Sequence, residues 1–271
     1  MILNSYNCEF GYELIAVLPY AYWLHQKRKL KRTISGKGSE CLYYFSPNHG
    51  INPQRRSWYY EDTTFLAKLI TQNIPNAWIH KKELDTSKWI PPPYKKAYAN
   101  GWAILEKPHL VIYNRYNKEW IENPTLNGPI NYFSLDLLDQ LFRMFQNKYS
   151  IIYVNVDGHP DLYDHSDPIH IKDKLLCSLH GVTHIDDLLD RHPGLGFNQV
   201  QMYYFANTEK FITMNGGGGI LASYFGGENI IYTKHCKEIK YGDFNYYPLL
   251  GGSEIKVART YEDIITHTDI W

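Results

Sequence analysis

Phe211-Ile212-Thr213-Met214-Asn215-Gly216-Gly217-Gly218-Gly219-Ile220-Leu221-Ala222-Ser223-Tyr224-Phe225-Gly226-Gly227 is the stretch on which the fold turns. An apolar strand, Phe211 to Met214, runs into four consecutive glycines. A short apolar helix, Ile220 to Phe225, comes next and is stopped by Gly226-Gly227. A second apolar strand, Asn229-Ile230-Ile231-Tyr232, follows at once. Strand, turn, helix, strand is one βαβ step of an open α/β sheet. Glycine tolerates positive φ and lets a backbone approach a ligand closely. The free N–H groups at a helix start favour an anion, typically a phosphate. Asn215 and Gly216, Gly217, Gly218 and Gly219 are therefore expected to hold phosphate oxygens, and Gly217→Val is expected to abolish that binding without unfolding the chain. No Gly-Lys-Ser/Thr follows, so this is not a Walker loop. Its late position, with no acidic strand end at the right distance, argues against a dinucleotide fingerprint. The competing reading is a plain flexible loop, but such loops are usually longer, more polar and not wedged between apolar strands.

Working outward, the 271 residues allow one large domain or two smaller ones. Lysine plus arginine equals aspartate plus glutamate at 28 each, so nothing electrostatic favours nucleic acid or a membrane surface as partner. Cys8, Cys41, Cys177 and Cys236 lie far apart with no CxxC pair, which argues against structural zinc and for a reducing compartment. The opening Met1-Ile2-Leu3-Asn4 lacks the basic and long apolar parts of a secretory leader, and no apolar run is long enough to span a bilayer. A soluble, cytoplasmic protein is expected. Tyrosine is common, at 24 residues, but aromatics serve cores as readily as sugar contacts.

Met1 to Ser5 reads as a strand, followed by a polar loop through Glu9 and Gly11 and a helical run from Glu13 to Gln26, in which Pro19 should kink the helix or mark a later start. Cys41 to Phe45 reads as a strand, Asp62 to Thr71 as a helix and Trp78 to His80 as a strand. After Ile90-Pro91-Pro92-Pro93 the rhythm restarts. His109 to Tyr113 is a strand, Leu135 to Gln146 a helix capped by Ser134, and Ser150 to Val154 a strand. Helices starting at Ile185 and Asn198 lead back to the glycine strand. The chain is thus expected to be α/β, with two facing Rossmann-like domains, 1–106 and 107–271, about a central cleft; the final helix is allowed to pack back on the first.

The loop Asn114-Arg115-Tyr116-Asn117-Lys118-Glu119-Trp120 leaves the carboxyl edge of the second half's first strand. Parallel neighbours deliver their loops to that same edge. Arg115 and Lys118 are thus expected beside the glycine turn, where cations offset the charge of a diphosphate and stabilise it as a leaving group. Taken alone, either residue reads as a solvated surface charge.

These features together resemble a GT-B glycosyltransferase of the compact kind found in bacteria and large algal viruses. The motifs are Asn114 to Trp120, Phe197-Asn198-Gln199-Val200-Gln201 and Phe211 to Gly227. The cationic loop is loosely similar to the Arg-containing loop of fucosyltransferases and protein O-fucosyltransferases. The opening loop also looks like theirs, with Glu9 next to Phe10 and Gly11 just before a helix. The resemblance implies a nucleotide-sugar donor held by the C-terminal domain, a glycan acceptor held by the N-terminal domain, and chemistry that needs no metal. An inverting transferase needs one base to deprotonate the acceptor hydroxyl. Glu9 is the expected base, with a surface or helix-capping carboxylate as the plainer alternative. Glu13 is its competitor, read more simply as a favourable first-turn acid. Asn198, and more weakly Asp186 and Asp187, are expected near ribose or sugar hydroxyls. The loop Asp157 to Asp161 reads as surface. UDP and GDP, with xylose, fucose or mannose, all fit. A nucleotide-sugar epimerase or hydrolase, or a non-catalytic sugar-binding module, stands as the alternative, since fold alone does not decide.

Overall fold

The computed structural model describes residues 1–5, 8–52, 74, 84–115, 131–156, 171–234 and 236–271. The expected helix over Asp62 to Thr71, the strand Trp78 to His80, Lys118 and the loop Asp157 to Asp161 lie outside them. A three-stranded parallel sheet holds β1 (Ile2–Asn4), β2 (Arg32–Gly36) and β3 (His49–Asn52) in that order. A six-stranded sheet holds β4 (His109–Asn114), β5 (Ser150–Asn155), β6 (Thr183–His184), β7 (Thr208–Met214), β8 (Glu228–Tyr232) and β9 (Glu254–Ala258). Its spatial order is β6-β5-β4-β7-β8-β9, all parallel. The chain winds outward from β4 in one direction and from β7 in the other. This is the doubly wound order, with its switch point between β4 and β7.

Parallel strands covered on both faces carry continuous apolar runs. Here successive residues sort onto two cores. Leu110, Ile112, Ile151, Tyr153, Ile212 and Ile230 meet Leu138, Leu141 and Phe142 of the helix Leu135–Phe145, together with Ile264 and Trp271. Val111, Tyr113, Ile152, Val154, Phe211 and Ile231 meet the helix Phe197–Phe205, and that cluster continues without a break into Leu3, Leu14, Val17 and Leu24 of the first sheet's layer. The final helix, Tyr261–Thr268, lies against β8 and β9, not on the N-terminal half as its sequence position allowed. The reason is Ile264, which is fully buried in the first of these cores.

Two expectations change in the first half. Cys41 to Phe45 is not a strand; Glu40–Tyr43 forms a tight turn. The carbonyls of Cys41 and Leu42 accept from the hydroxyls of Tyr98 and Tyr94, so no strand partner is needed. The strands lie instead at Arg32–Gly36 and His49–Asn52, in polar stretches. The first helical run is three pieces: α1 (Phe10–Tyr12), a wide π turn (Glu13–Val17) and α2 (Leu18–Gln26). Pro19 has no N–H to give to Ile15, four residues back. Leu18 N reaches back five residues to Glu13 O, which leaves Leu14 O without its usual donor as well. Both carbonyls are taken by distant side chains. Trp89 Nε1 donates to Ile15 O at 2.7 Å, and Tyr224 OH donates to Leu14 O. The second bond joins the helix of the first half to the helix after the glycine turn.

Among the described residues no helix is long and apolar enough to cross a membrane. A buried carbonyl stripped of its donor costs about 1–3 kcal/mol. Tyr224→Phe and Trp89→Phe are each expected to lower unfolding free energy by about that much. Urea titration checks this, and a neutral Tyr224→Phe would mean that the hydroxyl is not what holds Leu14.

Candidate functional site

The carboxyl edge of the six-stranded sheet assembles most of the residues singled out from sequence. β4 and β7 run in register with Tyr113 opposite Thr213. Arg115 follows the end of β4 and Asn215 follows the end of β7, so both leave the same edge of the sheet. Arg115 is half-buried, and its N–H donates to Asn114 Oδ1 at 3.0 Å. Asn114 is fully buried and spans from Arg115 to Phe133, accepting from Phe133 N and donating to Phe133 O and Tyr153 OH. Tyr153 in turn donates to Asp173 Oδ2, which also accepts from Asn155 Nδ2 at 2.6 Å. Burial, and after it the Asp173 charge, hold the Tyr153 phenol well above its usual pKa, so it stays a donor at neutral pH. This chain of polar groups fixes the exit of β4.

The helix begins earlier than the sequence reading placed it, since Gly217 already starts the helix Gly217–Ser223. Gly216 has φ +128° and ψ −164°, a conformation open essentially to glycine alone. The other three glycines have a different reason. A Cβ on Gly217 would lie 2.5 Å from the Phe10 ring, one on Gly218 2.2 Å from the Tyr113 ring, and one on Gly219 3.1 Å from Met214 O. The turn is narrow because two aromatic rings pack against it. A Gly217→Val side chain must therefore displace the Phe10 ring, so that variant bears on packing as well as on binding. The first intrahelical bond runs from Ile220 N to Gly216 O at 3.2 Å, so the N–H groups before it stand outside the ladder. Asn215 N donates to Tyr232 O at 2.8 Å, while its buried Oδ1 has no partner among the described residues.

A buried polar cluster that the sequence reading missed secures this turn from below. Thr213 Oγ1 donates to Asn229 Oδ1, Asn229 Nδ2 donates to Gly219 O and Ser223 Oγ, and Ser223 Oγ donates to Gly219 O. The signal was present, because Thr213 and Asn229 are polar residues inside apolar parallel strands.

Glu9 flanks the same turn. It precedes α1, whose Phe10 ring covers Gly217 and whose Gly11 lies close to Ile220. The Glu9 carboxylate caps α1, accepting from Gly11 N at 2.9 Å and Tyr12 N at 3.0 Å. A carboxylate has about four lone-pair sites, so two remain. Its charge also adds, after burial and the charges of Glu238, Asp243 and Cys236, to the upward shift of the buried Tyr247 phenol.

The remaining candidates are engaged elsewhere. Asn198 is buried and donates to Gly38 O at 2.6 Å while accepting from Gln201 Nε2, so it bridges to the loop after β2. Asp187 closes a capping box with His184, and Asp186 pairs with Lys174 at 3.3 Å, beyond β6 at the sheet's edge. Glu13 is a first-turn acid, as read from sequence, at the start of the π turn, and it is fully buried. Among the described residues no group of three or more His, Cys, Asp or Glu side chains could hold a metal ion.

No family model and no curated protein matches the chain. A solved structure described as the glycosyl transferase family 9 from Veillonella parvula DSM 2008 superposes at 7% identity over 99% of this chain and 89% of that chain, with a TM-score of 0.42. A likeness at that level carries no functional weight.

Overpacking a filled site costs about 1–3 kcal/mol. Gly218→Ala is expected to destabilise by about that much, and Tyr113→Leu in the same chain to restore much of it. Denaturant melts of the two single variants and the double variant test the pairing; additive losses would show that the ring does not set the glycine.

Proposed function

We propose that this chain is a glycosyltransferase that moves a sugar from a nucleoside-diphosphate sugar, UDP- or GDP-linked, to a hydroxyl of a glycan acceptor. One observation carries the reading: the doubly wound switch point brings Arg115 and the glycine turn to one edge, with the Glu9 loop seated on that turn through Phe10. Open α/β sheets bind ligands in that crevice. In this reading the N–H groups of the turn hold diphosphate oxygens, Arg115 offsets the charge that grows on the leaving group, and Lys118, three residues on in sequence, assists. Asn215 Oδ1 accepts from a hydroxyl or N–H of the donor. Glu9 takes the acceptor proton on its uncommitted lone pairs, and the sugar inverts. The arrangement is GT-B-like, with an acceptor domain 1–106 and a donor domain 107–271, needs no metal, and works in the cytoplasm.

The capping bonds of Glu9 favour a second reading, a non-catalytic sugar-binding module in which that carboxylate only shapes α1. Glu9→Gln separates the two. A base-dependent transferase keeps nucleotide affinity and loses about 10²–10⁴ in turnover, whereas a binder loses nothing.

Calorimetric titration with UDP, GDP and their sugar conjugates tests the core of the proposal. One nucleotide class is expected to bind, and Arg115→Ala is expected to weaken it by about ten- to a hundredfold, the worth of a charge-assisted hydrogen bond. Absence of binding by every nucleotide to the wild-type chain overturns it.

A further inference from the structure

We propose that Glu13 is a positioning residue whose buried carboxylate holds the opening loop and the loop after β2 together, and so fixes where Glu9 stands. Glu13 is 0% exposed. Ser5 Oγ and Tyr43 OH donate to its Oε1, each at 2.8 Å, and Ser39 Oγ donates to its Oε2 at 3.0 Å. These three hydroxyls come from two segments. Ser5 follows β1 directly and donates its own N–H to Ile34 O in β2; Ser39 and Tyr43 follow β2. The carboxylate therefore joins the carboxyl ends of two neighbouring strands. Burial first, and then the Glu13 charge, raise the Tyr43 phenol well above its ordinary pKa, so it remains a donor to this acceptor.

The consequences run outward along the backbone in both directions. Ser5 O accepts from Cys8 N at 2.8 Å, immediately before Glu9, whose carboxylate then caps α1. Ser39 O accepts from Leu42 N at 3.0 Å, and the preceding Gly38 O accepts from Asn198. Burying a carboxylate is costly, and apolar replacements for buried charged groups are often neutral or stabilising. A carboxylate retained at this point, aimed at hydroxyls from both strand-end loops, serves geometry more than stability.

The catalytic consequence rests on the transferase reading, but the positioning role does not, and the experiment separates them. Amide hydrogen exchange is followed in the wild-type chain, Glu13→Gln and Glu13→Leu. Cys8, Gly11, Tyr12 and Leu42 report on the two loops, while Phe211 and Ile212 of β7 report on the distant sheet. Exchange at the four loop reporters is expected to accelerate about threefold or more in Glu13→Gln and about tenfold or more in Glu13→Leu, with β7 unchanged. Unchanged loop reporters in Glu13→Gln, or equal acceleration in β7, overturns the proposal; Glu13→Gln suffices if Glu13→Leu does not fold. Titration with UDP and GDP runs alongside. Failure of the wild-type chain to bind either one counts against the transferase reading alone. If it binds, Glu13→Gln is expected to keep nucleotide affinity within about twofold while turnover falls about tenfold or more, as for a displaced catalytic group. Parallel loss of both shows a merely structural role.

Discussion

A single missing N–H shapes how the two sheets meet. Pro19 withholds the donor that Ile15 O requires, and the π turn ahead of it leaves Leu14 O in the same position. Buried carbonyls must find donors. Trp89 comes from beyond the 53–83 stretch, and Tyr224 comes from the helix after the glycine turn. The helix of the first half is thereby bolted to the helix that starts the candidate site. Tyr94 reinforces the junction, bonding Leu42 O while its ring packs 4.8 Å from that of Tyr224. The apolar cluster running from Leu3 to Leu250 is the packing counterpart of those bonds.

The same junction explains the glycines. Once the two helices are drawn together, Phe10 must lie on Gly217, and Tyr113 at the end of β4 must lie on Gly218. Close packing accounts for those two glycines, and the backbone dihedrals account for Gly216. The N–H groups of the buried Gly217, Gly218 and Gly219 precede the first bond of the helix, Ile220 N to Gly216 O.

Much of the second half was legible because its strands are apolar runs bounded by glycine, serine or proline. His109 to Tyr113, Ser150 to Val154 and Phe211 to Met214 appear where periodicity puts them, and Ser134 caps its helix as expected. The first half was less legible. β2 and β3 are short and polar and sit in a three-stranded sheet, while the apolar Cys41 to Phe45 is a turn whose carbonyls are served by tyrosine hydroxyls. Side chains that reach across the chain, as Tyr94 and Tyr98 do, leave no local period to read. At the site, Arg115 and the glycine turn were readable from strand order, since parallel neighbours share an edge. The burial of Glu13 and the bridging of Asn198 were not, because each depends on partners distant in sequence, Ser39 and Tyr43 for Glu13 and Gly38 for Asn198.

The unbroken cluster between the sheets also bears on modularity. Donor and acceptor halves of many two-domain proteins are exchangeable because few contacts cross the linker. Here a cut near residue 106 would strip the face of the Phe197–Phe205 helix and bare the carbonyl of Leu14, whose donor Tyr224 lies beyond it, while Ile15 keeps Trp89. Each half completes the interior of the other. Recombination with a relative must therefore inherit both halves, or carry the opening helix along with the glycine turn as one heritable block.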